Sequence, residues 1–337
     1  LFAKSDCGED AMKLKFPIKV YGILKTIGQA TNTKDKSKVS LFLPKERVKS
    51  GTNLIINISP SIAAIMIQSL DYLAQYPYGC VEQTMSRFLP TVTALKSIKE
   101  LGLDISFYNK DVPDMVNMGL KRLYDFQLGS GGWGWWKDDS YNQYMTSYVL
   151  YGLLTAKECG VKVDESVLSR GTNALTNSLE DKNHLNTEAY ALYALSYNKT
   201  TVKKALERVY DKREKLSAYS KALLALTMYN LGETEKGLIL LRNLENHINV
   251  DKENQTAYYG NKSYWYWYDG DVESTSFALK AYLYLNKESD RIPLLLKWLV
   301  YNRNGNRWSH TKDTANVVYA LTDYLKVFKE HQKEGNV

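Results

Sequence analysis

The stretch "MTSYVLYGLL" at residues 145–154 sets a pattern that recurs through most of the chain. Similar mixtures of small, polar and apolar residues appear at 187–196, 218–232, 273–286 and 313–325. Each copy is flanked by a less apolar amphipathic segment, and regular spacing of a few tens of residues is typical of stacked helix pairs. Small side chains let helices approach closely, so these copies suit an inner ring and the flanking segments an outer ring. The sequence therefore predicts a mainly α fold of stacked helix pairs, which can form an open solenoid or close into a ring; we favour the closed form, an α/α toroid.

The toroid is predicted to follow a β segment. From "SPSIAAIMIQSLDYLAQ" (59–75) onward, apolar residues recur three or four positions apart, as in amphipathic helices. Before it, residues 14–29, 38–48 and 52–59 alternate apolar and polar positions, which predicts antiparallel strands. Three strands alone make a poor fold. We therefore expect 1–58 to be part of a β-sandwich, 59–330 to be the toroid and 331–337 to be a tail.

Composition excludes several classes of function. The net charge is +7 over 337 residues, and the lysine clusters also contain acids, which disfavours nucleic-acid binding. The longest apolar runs, such as 62–67, are too short to cross a bilayer. The three cysteines are odd in number and lack CxxC spacing, which argues against a disulfide framework and a zinc site. We expect no metal and no cofactor. Because the chain does not begin with Met, we expect it to be a piece of a longer polypeptide.

One cysteine lies in a suggestive context, "YPYGCVEQTMSRFLP" (76–90). The Pro-Tyr-Gly turn, in which Gly79 permits unusual dihedral angles, precedes a predicted helix start. Residues three apart share a helix face with Cβ atoms about 5–6 Å apart, so Cys80 and Gln83 face each other. Attack of the thiol on the glutamine carbonyl, with loss of ammonia, would close a thioester. A helix N-terminus also predicts a lowered pKa for Cys80 and a favourable place for the negative charge of Glu82.

The segment "PYGCVEQTM" (77–85) resembles the thioester motif of the α2-macroglobulin and complement superfamily, which shares Gly-Cys-x-Glu-Gln. The wider stretch 69–90 is most similar to bacterial α2-macroglobulins, and 131–160 and 305–325 also resemble that family's thioester domain. The resemblance implies an α/α toroid inserted into a CUB-type β-sandwich. It also implies a protease trap, in which cleavage of a bait region elsewhere exposes a Cys80–Gln83 thioester that acylates lysine amines.

The resemblance carries further expectations. The reaction is used once, so the protein would be an endopeptidase inhibitor and not an enzyme. Its partners would be proteases and the rest of its own polypeptide, and its location periplasmic or cell-envelope, with any lipid anchor outside this chain. Some complement members use a histidine for acyl transfer, and His184 and His310 each precede a predicted inner helix.

Aromatic residues around the motif are candidates for shielding the ester from water. Tyr76 and Tyr78 flank the cysteine directly, and "YYGNKSYWYWYDGD" (258–271) is an aromatic-rich loop. Packing of the toroid's end by the same residues is an equally good interpretation. In the glycine–tryptophan stretch 126–139, Asp138 and Asp139 are predicted to cap the following helix.

Two other classes of function stay open. An α/α toroid can be an enzyme, either a glycosidase with two carboxylates in the ring mouth or a terpene-cyclase-like protein. The loop "QLGSGGWGWW" (127–136) resembles the Gln–Trp loops of terpene cyclases, and "KDDS" (137–140) is a weak candidate for their acidic motif. The other alternative is an interaction scaffold with an inactive motif.

Overall fold

The structure is a computed structural model of the chain. It describes residues 2–15, 22, 36, 38, 40–54, 56, 58–59, 61–75, 79–100, 102, 112–180, 184–260 and 269–328. Contacts between residues divide the chain into two compact units, Leu1–Ile56 and Asn57–Val337.

The first unit contains an antiparallel hairpin of β1 (Phe2–Ser5) and β2 (Gly8–Ala11). Most of 14–29 lies outside the described residues, and of those described between 38 and 59 none forms a strand. The strands predicted at 38–48 and 52–59 are therefore wrong where the structure describes them. Alternating side chains suit a strand, but a strand also needs a partner; here Phe42 is 84% and Leu54 68% exposed. The CUB-type assignment stays a prediction.

The second unit is helical, as predicted. Its helices are α1 (Ile62–Gln75), α2 (Val81–Glu100), α3 (Val112–Asp125), α4 (Gln143–Glu158), α5 (Glu165–Ser178), α6 (Leu185–Ser196), α7 (Lys203–Asp211), α8 (Ala218–Asn230), α9 (Thr234–Leu244), α10 (Asp271–Leu285), α11 (Arg291–Tyr301) and α12 (Thr311–Phe328). A short hairpin, β3 (Asn249–Asp251) with β4 (Thr256–Tyr258), lies between α9 and α10.

The even-numbered helices α2 to α12 form a closed ring, since each packs on the next and α12 packs on α2. The odd-numbered helices pack on the outside of this ring. Burial follows the same division: α8 is buried without interruption from Ala218 to Met228, whereas α7 buries only Ala205 and Val209. The α/α toroid is thus confirmed. All five repeats identified in the sequence form inner helices. The sixth inner helix is α2, which begins directly after Cys80.

Aromatic side chains from different inner helices meet at the centre of the ring. Tyr151 of α4 lies with its ring centroid 5.3 Å from that of Tyr193 of α6 and 6.0 Å from that of Tyr319 of α12. Tyr219 of α8 contacts Phe277 of α10 with centroids 5.4 Å apart. These rings fill the centre with packed side chains.

Two tryptophan loops join outer to inner helices in the same way. Trp133 donates its indole N–H to the Leu123 carbonyl at 2.8 Å and its backbone N–H to Thr146 Oγ1 at 2.9 Å. Trp308 repeats the arrangement with the Leu299 carbonyl and Thr314 Oγ1, at 2.8 and 3.0 Å. Both side chains are fully buried. Each loop is therefore fixed to the helices before and after it.

Candidate functional site

The structure brings Cys80 and Gln83 together at the N-terminal end of α2. Cys80 is only 7% exposed, and its backbone N–H donates to Gln83 Oε1 at 3.2 Å. Its carbonyl accepts from the backbone N–H and the hydroxyl of Thr84, at 3.1 and 3.0 Å. The glutamine side chain thus folds back over the turn that carries the cysteine, with its amide group at the cysteine backbone.

Gly79 provides the room for this arrangement. A Cβ atom at residue 79 would lie 1.9 Å from Gln83 Oε1 and 3.1 Å from Gln83 Cδ. The φ angle of Gly79 does not lie in the left-handed region. The sequence-based expectation that this position needs glycine for unusual dihedral angles is therefore wrong. The reason is steric, because any side chain would displace Gln83.

The turn around Cys80 is held from two sides. On one side, Arg122 of α3 donates from Nη2 to the Gly79 carbonyl at 2.6 Å. On the other, the backbone N–H of Val81 donates to the Trp135 carbonyl at 2.9 Å. The sequence offered no signal for Arg122, which lies on an ordinary amphipathic helix. Both residues next to Cys80 are therefore fixed by elements remote in sequence.

Asp139 holds the tryptophan loop in shape. Its Oδ2 accepts from the Trp135 N–H and its Oδ1 from the Ser140 N–H, both at 2.8 Å. The N-cap of α4 is Asn142, whose Oδ1 accepts from Met145 N at 2.9 Å. The prediction that Asp138 and Asp139 cap this helix is therefore wrong, because the loop continues for three more residues.

Glu82 points into the ring and links three inner helices. Its carboxylate is 5% exposed and accepts from Ser86 Oγ at 2.6 Å and from Thr311 Oγ1 of α12 at 2.9 Å. Ser86 also hydrogen bonds to the Tyr148 hydroxyl of α4 at 2.9 Å. The first turns of α2 are thus connected to both neighbours in the ring. The sequence placed Glu82 correctly at a helix start but did not reveal that it is buried.

Burial dominates the electrostatics of the pair. It raises the pKa of the Cys80 thiol, and the nearby Glu82 carboxylate raises it further, against smaller lowering by backbone N–H groups of Gln83 and Glu82. The predicted lowering of this pKa is therefore wrong, since desolvation outweighs the helix N-terminus. Burial also raises the pKa of Glu82, opposed by the hydroxyls of Ser86 and Thr311.

A buried ion pair braces the same end of the ring. Lys312 of α12 contacts Glu273 of α10 with Nζ and Oε2 2.9 Å apart, and the two residues are 4% and 1% exposed. Glu273 Oε1 also accepts from the Tyr144 hydroxyl of α4 at 2.9 Å and from Asn316 Nδ2 at 3.3 Å. This group joins α4 and α12, the two helices that flank α2. Nothing in the sequence distinguished Glu273 or Lys312 from surface charges.

The carboxyl group of Asp313, next to Lys312 in sequence, is expected to make the stability of the fold depend on pH. Burial raises the pKa of Asp313 to about 6, with Glu273 adding to the rise and Lys312 and His310 opposing it. A carboxyl whose pKa is raised by folding stabilises the fold below its unfolded value of 3.8, and that contribution is lost as pH rises through about 6. Between pH 4 and pH 7.5 this carboxyl should lower the free energy of unfolding of the wild type by an amount on the order of 2–3 kcal/mol. We expect Asp313→Asn to lack this decrease.

The measurement is urea unfolding of wild type and variant at both pH values. Asp290→Asn, at an 89% exposed side chain, is the matched control and should retain the wild-type pH dependence. Equal pH dependence in wild type and Asp313→Asn would contradict the assignment.

The two candidate histidines differ in their surroundings. Both are exposed and precede inner helices. His310 is followed directly by Thr311, which binds Glu82, and it is close enough to lower the pKa of Glu82. His184 is the N-cap of α6, which is separated from α2 in the ring by α4. The structure thus brings His310 to the Cys80 end of α2, and does not bring His184 there.

Some predicted features fall outside the described part of the chain. Tyr76, Tyr78 and residues 261–268 of the aromatic loop are among them, so their proposed shielding stays a prediction. Within the described residues there is no group of three or more His, Cys, Asp or Glu side chains arranged to hold a metal ion. Among the described helices, none is both long enough and apolar enough to cross a membrane.

Comparison with known proteins agrees with this site. Residues 54–188 match the family model of the A-macroglobulin TED domain. The α2-macroglobulin of Thermotoga maritima is 26% identical over 317 residues, which cover 94% of this chain and 18% of that protein. The chain thus spans about a fifth of the length of this relative.

Solved structures show the same fold. Salmonella α2-macroglobulin reacted with methylamine superposes with a TM-score of 0.62 at 21% identity, covering 79% of this chain and 18% of that one. Escherichia coli α2-macroglobulin activated by porcine elastase superposes with a TM-score of 0.57 at 22% identity, covering 73% and 23%. The match of the family model to residues 54–188, the toroid and the Gly-Cys-x-Glu-Gln turn indicate one resemblance: this part of the chain is similar to a TED domain of the α2-macroglobulin family.

Proposed function

We propose that Cys80 and Gln83 form an internal thioester and that the chain is the acylating domain of a broad-spectrum protease inhibitor. The contact between Cys80 N and Gln83 Oε1, made possible by Gly79, is the observation that carries this proposal. The α2-macroglobulin solved after activation by porcine elastase supports a protease as the partner.

Formation of the ester needs the Cys80 sulfur to attack Gln83 Cδ. The S–C bond forms, the bond from Cδ to Nε2 breaks, and the amide nitrogen leaves as ammonia with the thiol proton. Negative charge develops on Gln83 Oε1, the atom that already accepts the Cys80 backbone N–H. A donor preorganised toward this oxygen stabilises the tetrahedral intermediate, as in an oxyanion hole.

Burial then suits a long-lived ester. The ester has no charge to desolvate, whereas the thiolate that leaves during acyl transfer does. Since a thiol of higher pKa is the poorer leaving group, the raised pKa of Cys80 slows hydrolysis of the ester. A lysine amine that attacks Gln83 Cδ forms an amide and releases the Cys80 thiol, so each molecule reacts once.

We also propose the domain context, location and acyl-transfer residue that the sequence predicted. Residues 1–58 would belong to a CUB-type sandwich of the longer polypeptide, and that polypeptide would act in the periplasm or cell envelope, with any lipid anchor outside this chain. His310 is the better placed of the two candidates for acyl transfer. The enzyme alternatives need an open ring mouth; here Glu273 is 1% exposed and ion-paired, and tyrosines fill the centre.

Intact mass tests the thioester directly. We expect the freshly purified chain to be lighter than its sequence by one ammonia, with Cys80 resistant to thiol reagents. Methylamine should add to Gln83, which leaves the chain one CH2 group heavier than its sequence, and release the thiol. Cys80→Ser is the control and should have full mass and no methylamine adduct. Hydrolysis during purification is recognised in a peptide map as glutamate in place of Gln83. A chain of full mass that keeps the glutamine would contradict the proposal and favour an inactive scaffold.

A further inference from the structure

An open groove of about 430 Å³ lies between α3 and the tryptophan loop, the two elements that hold the turn around Cys80. It is lined by Met118, Lys121, Arg122, Asp125, Phe126 and Lys137, from α3 and the tryptophan loop. We call it the α3 groove.

Both walls of the α3 groove are bonded to the residues that flank Cys80. Arg122, in the helix wall, donates to the Gly79 carbonyl at 2.6 Å. The loop wall is attached through the hydrogen bond from Val81 N to the Trp135 carbonyl, two residues before Lys137. Because Gly79 and Val81 are the direct neighbours of Cys80, these hydrogen bonds connect both walls of the groove to the turn that carries the reacting pair.

The α3 groove is mainly basic. Three of its six lining residues are cationic and one is acidic. Within the described residues no carboxylate forms an ion pair with Lys121 or Lys137. Arg122 packs over the Phe126 ring, 4.6 Å from its centroid, and its buried Nε has no hydrogen-bond partner in the described part of the chain. The cationic side chains of the groove can therefore bind an anionic group.

Two exposed apolar side chains belong to the lining or to the residue next to it in sequence. Met118, in the lining, is 51% exposed, and Trp136, adjacent to Lys137, is 57% exposed. Of the large apolar side chains described between residues 62 and 328, these two are the most exposed. Exposed apolar side chains next to charges are typical of protein–protein contact sites.

We propose that the α3 groove docks the acceptor protein and selects amines that have an acidic and an apolar side chain beside them. This inference rests on the proposed thioester. Docking through Lys121, Lys137 and Trp136 would hold the acceptor lysine at Gln83 Cδ and raise its effective concentration. The cationic walls also lower the pKa of an approaching ammonium group, which favours the neutral, nucleophilic amine.

The test compares two amines of equal length, δ-aminovalerate and its neutral amide, by the second-order rate constants with which they open the ester in the full chain. We expect the carboxylate to react about two- to fivefold faster at low salt, as one exposed ion pair allows, and the preference to disappear at high salt. Lys121→Glu with Lys137→Glu should reverse it. Lys203→Glu, at an 84% exposed lysine on α7, is the charge-matched control and should leave it unchanged.

The outcomes separate the two proposals. Equal rate constants for both amines in the wild type, or the same preference in the double variant, would overturn the role of the groove while methylamine still opens the ester. The role of the groove in selecting amines would also be overturned if the double variant kept the preference for the carboxylate amine but bound another part of the same polypeptide more weakly. A wild-type chain that does not react with methylamine at all overturns the thioester, and with it this inference.

Discussion

Gly79→Ala is expected to abolish thioester formation while leaving the toroid folded. The added Cβ would lie 1.9 Å from Gln83 Oε1, so the glutamine side chain must turn away from the Cys80 backbone. The clash is with the end of a flexible side chain and not with backbone, which is why the fold should survive. Misplacement of reacting groups by about 1 Å can cost about 100-fold in rate, so ring closure should slow by at least that factor.

The measurement is the fraction of freshly made protein that is lighter by one ammonia, together with the titration of Cys80 by a thiol reagent. Gly129→Ala is the matched control, since a Cβ there meets nothing within 4 Å and its φ is not left-handed. A normal circular dichroism spectrum confirms folding. If Gly79→Ala formed the ester as completely as the wild type, the contact between Gln83 and Cys80 would not be what prepares the reaction.

Lys312→Met is expected to have the largest effect on stability. Methionine keeps the packing of the lysine stem but leaves the Glu273 carboxylate, 1% exposed, without its cation. Breaking a buried ion pair by removing one partner typically costs about 3–5 kcal/mol. We expect a loss of that size in the free energy of unfolding, measured by urea denaturation.

A second substitution identifies the cause. Adding Glu273→Gln removes the uncompensated charge but keeps an oxygen for Tyr144 and Asn316, so the double variant should be more stable than Lys312→Met alone. Lys203→Ala breaks an exposed pair with Nζ and Oε1 3.9 Å apart and should change stability by less than about 1 kcal/mol. A double variant no more stable than the single one would show that lost packing, and not charge, is responsible.

The helical part of the fold could be predicted because its periodicity is local. Repeats such as 145–154 and 187–196 carry the small residues that closely packed inner helices need, and both form inner helices. A small antiparallel β segment does precede the toroid in sequence, as predicted, but the positions of its strands could not be predicted from alternation. Residues 38–48 have strand-like alternation, but a strand forms only where a partner completes its backbone hydrogen bonds.

In the candidate site, too, the features set by neighbouring residues could be predicted, and those set by distant contacts could not. Cys80, Gln83 and Gly79 are neighbours in sequence, so the i, i+3 spacing was enough to predict that the first two meet. Burial is not local, and it reversed the expected direction of the Cys80 pKa shift. The groups that hold the turn also come from distant positions: Arg122 is 43 residues from Gly79, and Thr311 is 229 residues from Glu82.

The sequence alone therefore determined the helical repeat and the spacing that brings Cys80 and Gln83 together, because both depend on residue patterns within one or two helical turns. Only the tertiary structure decided the environment of that pair. Closure of the ring carries Thr311 and Lys312 to the first turn of α2, and packing of α3 and the tryptophan loop sets Arg122 and Trp135 against Gly79 and Val81. Desolvation and long-range contacts arise only when these elements assemble, so no local pattern of residues could specify them.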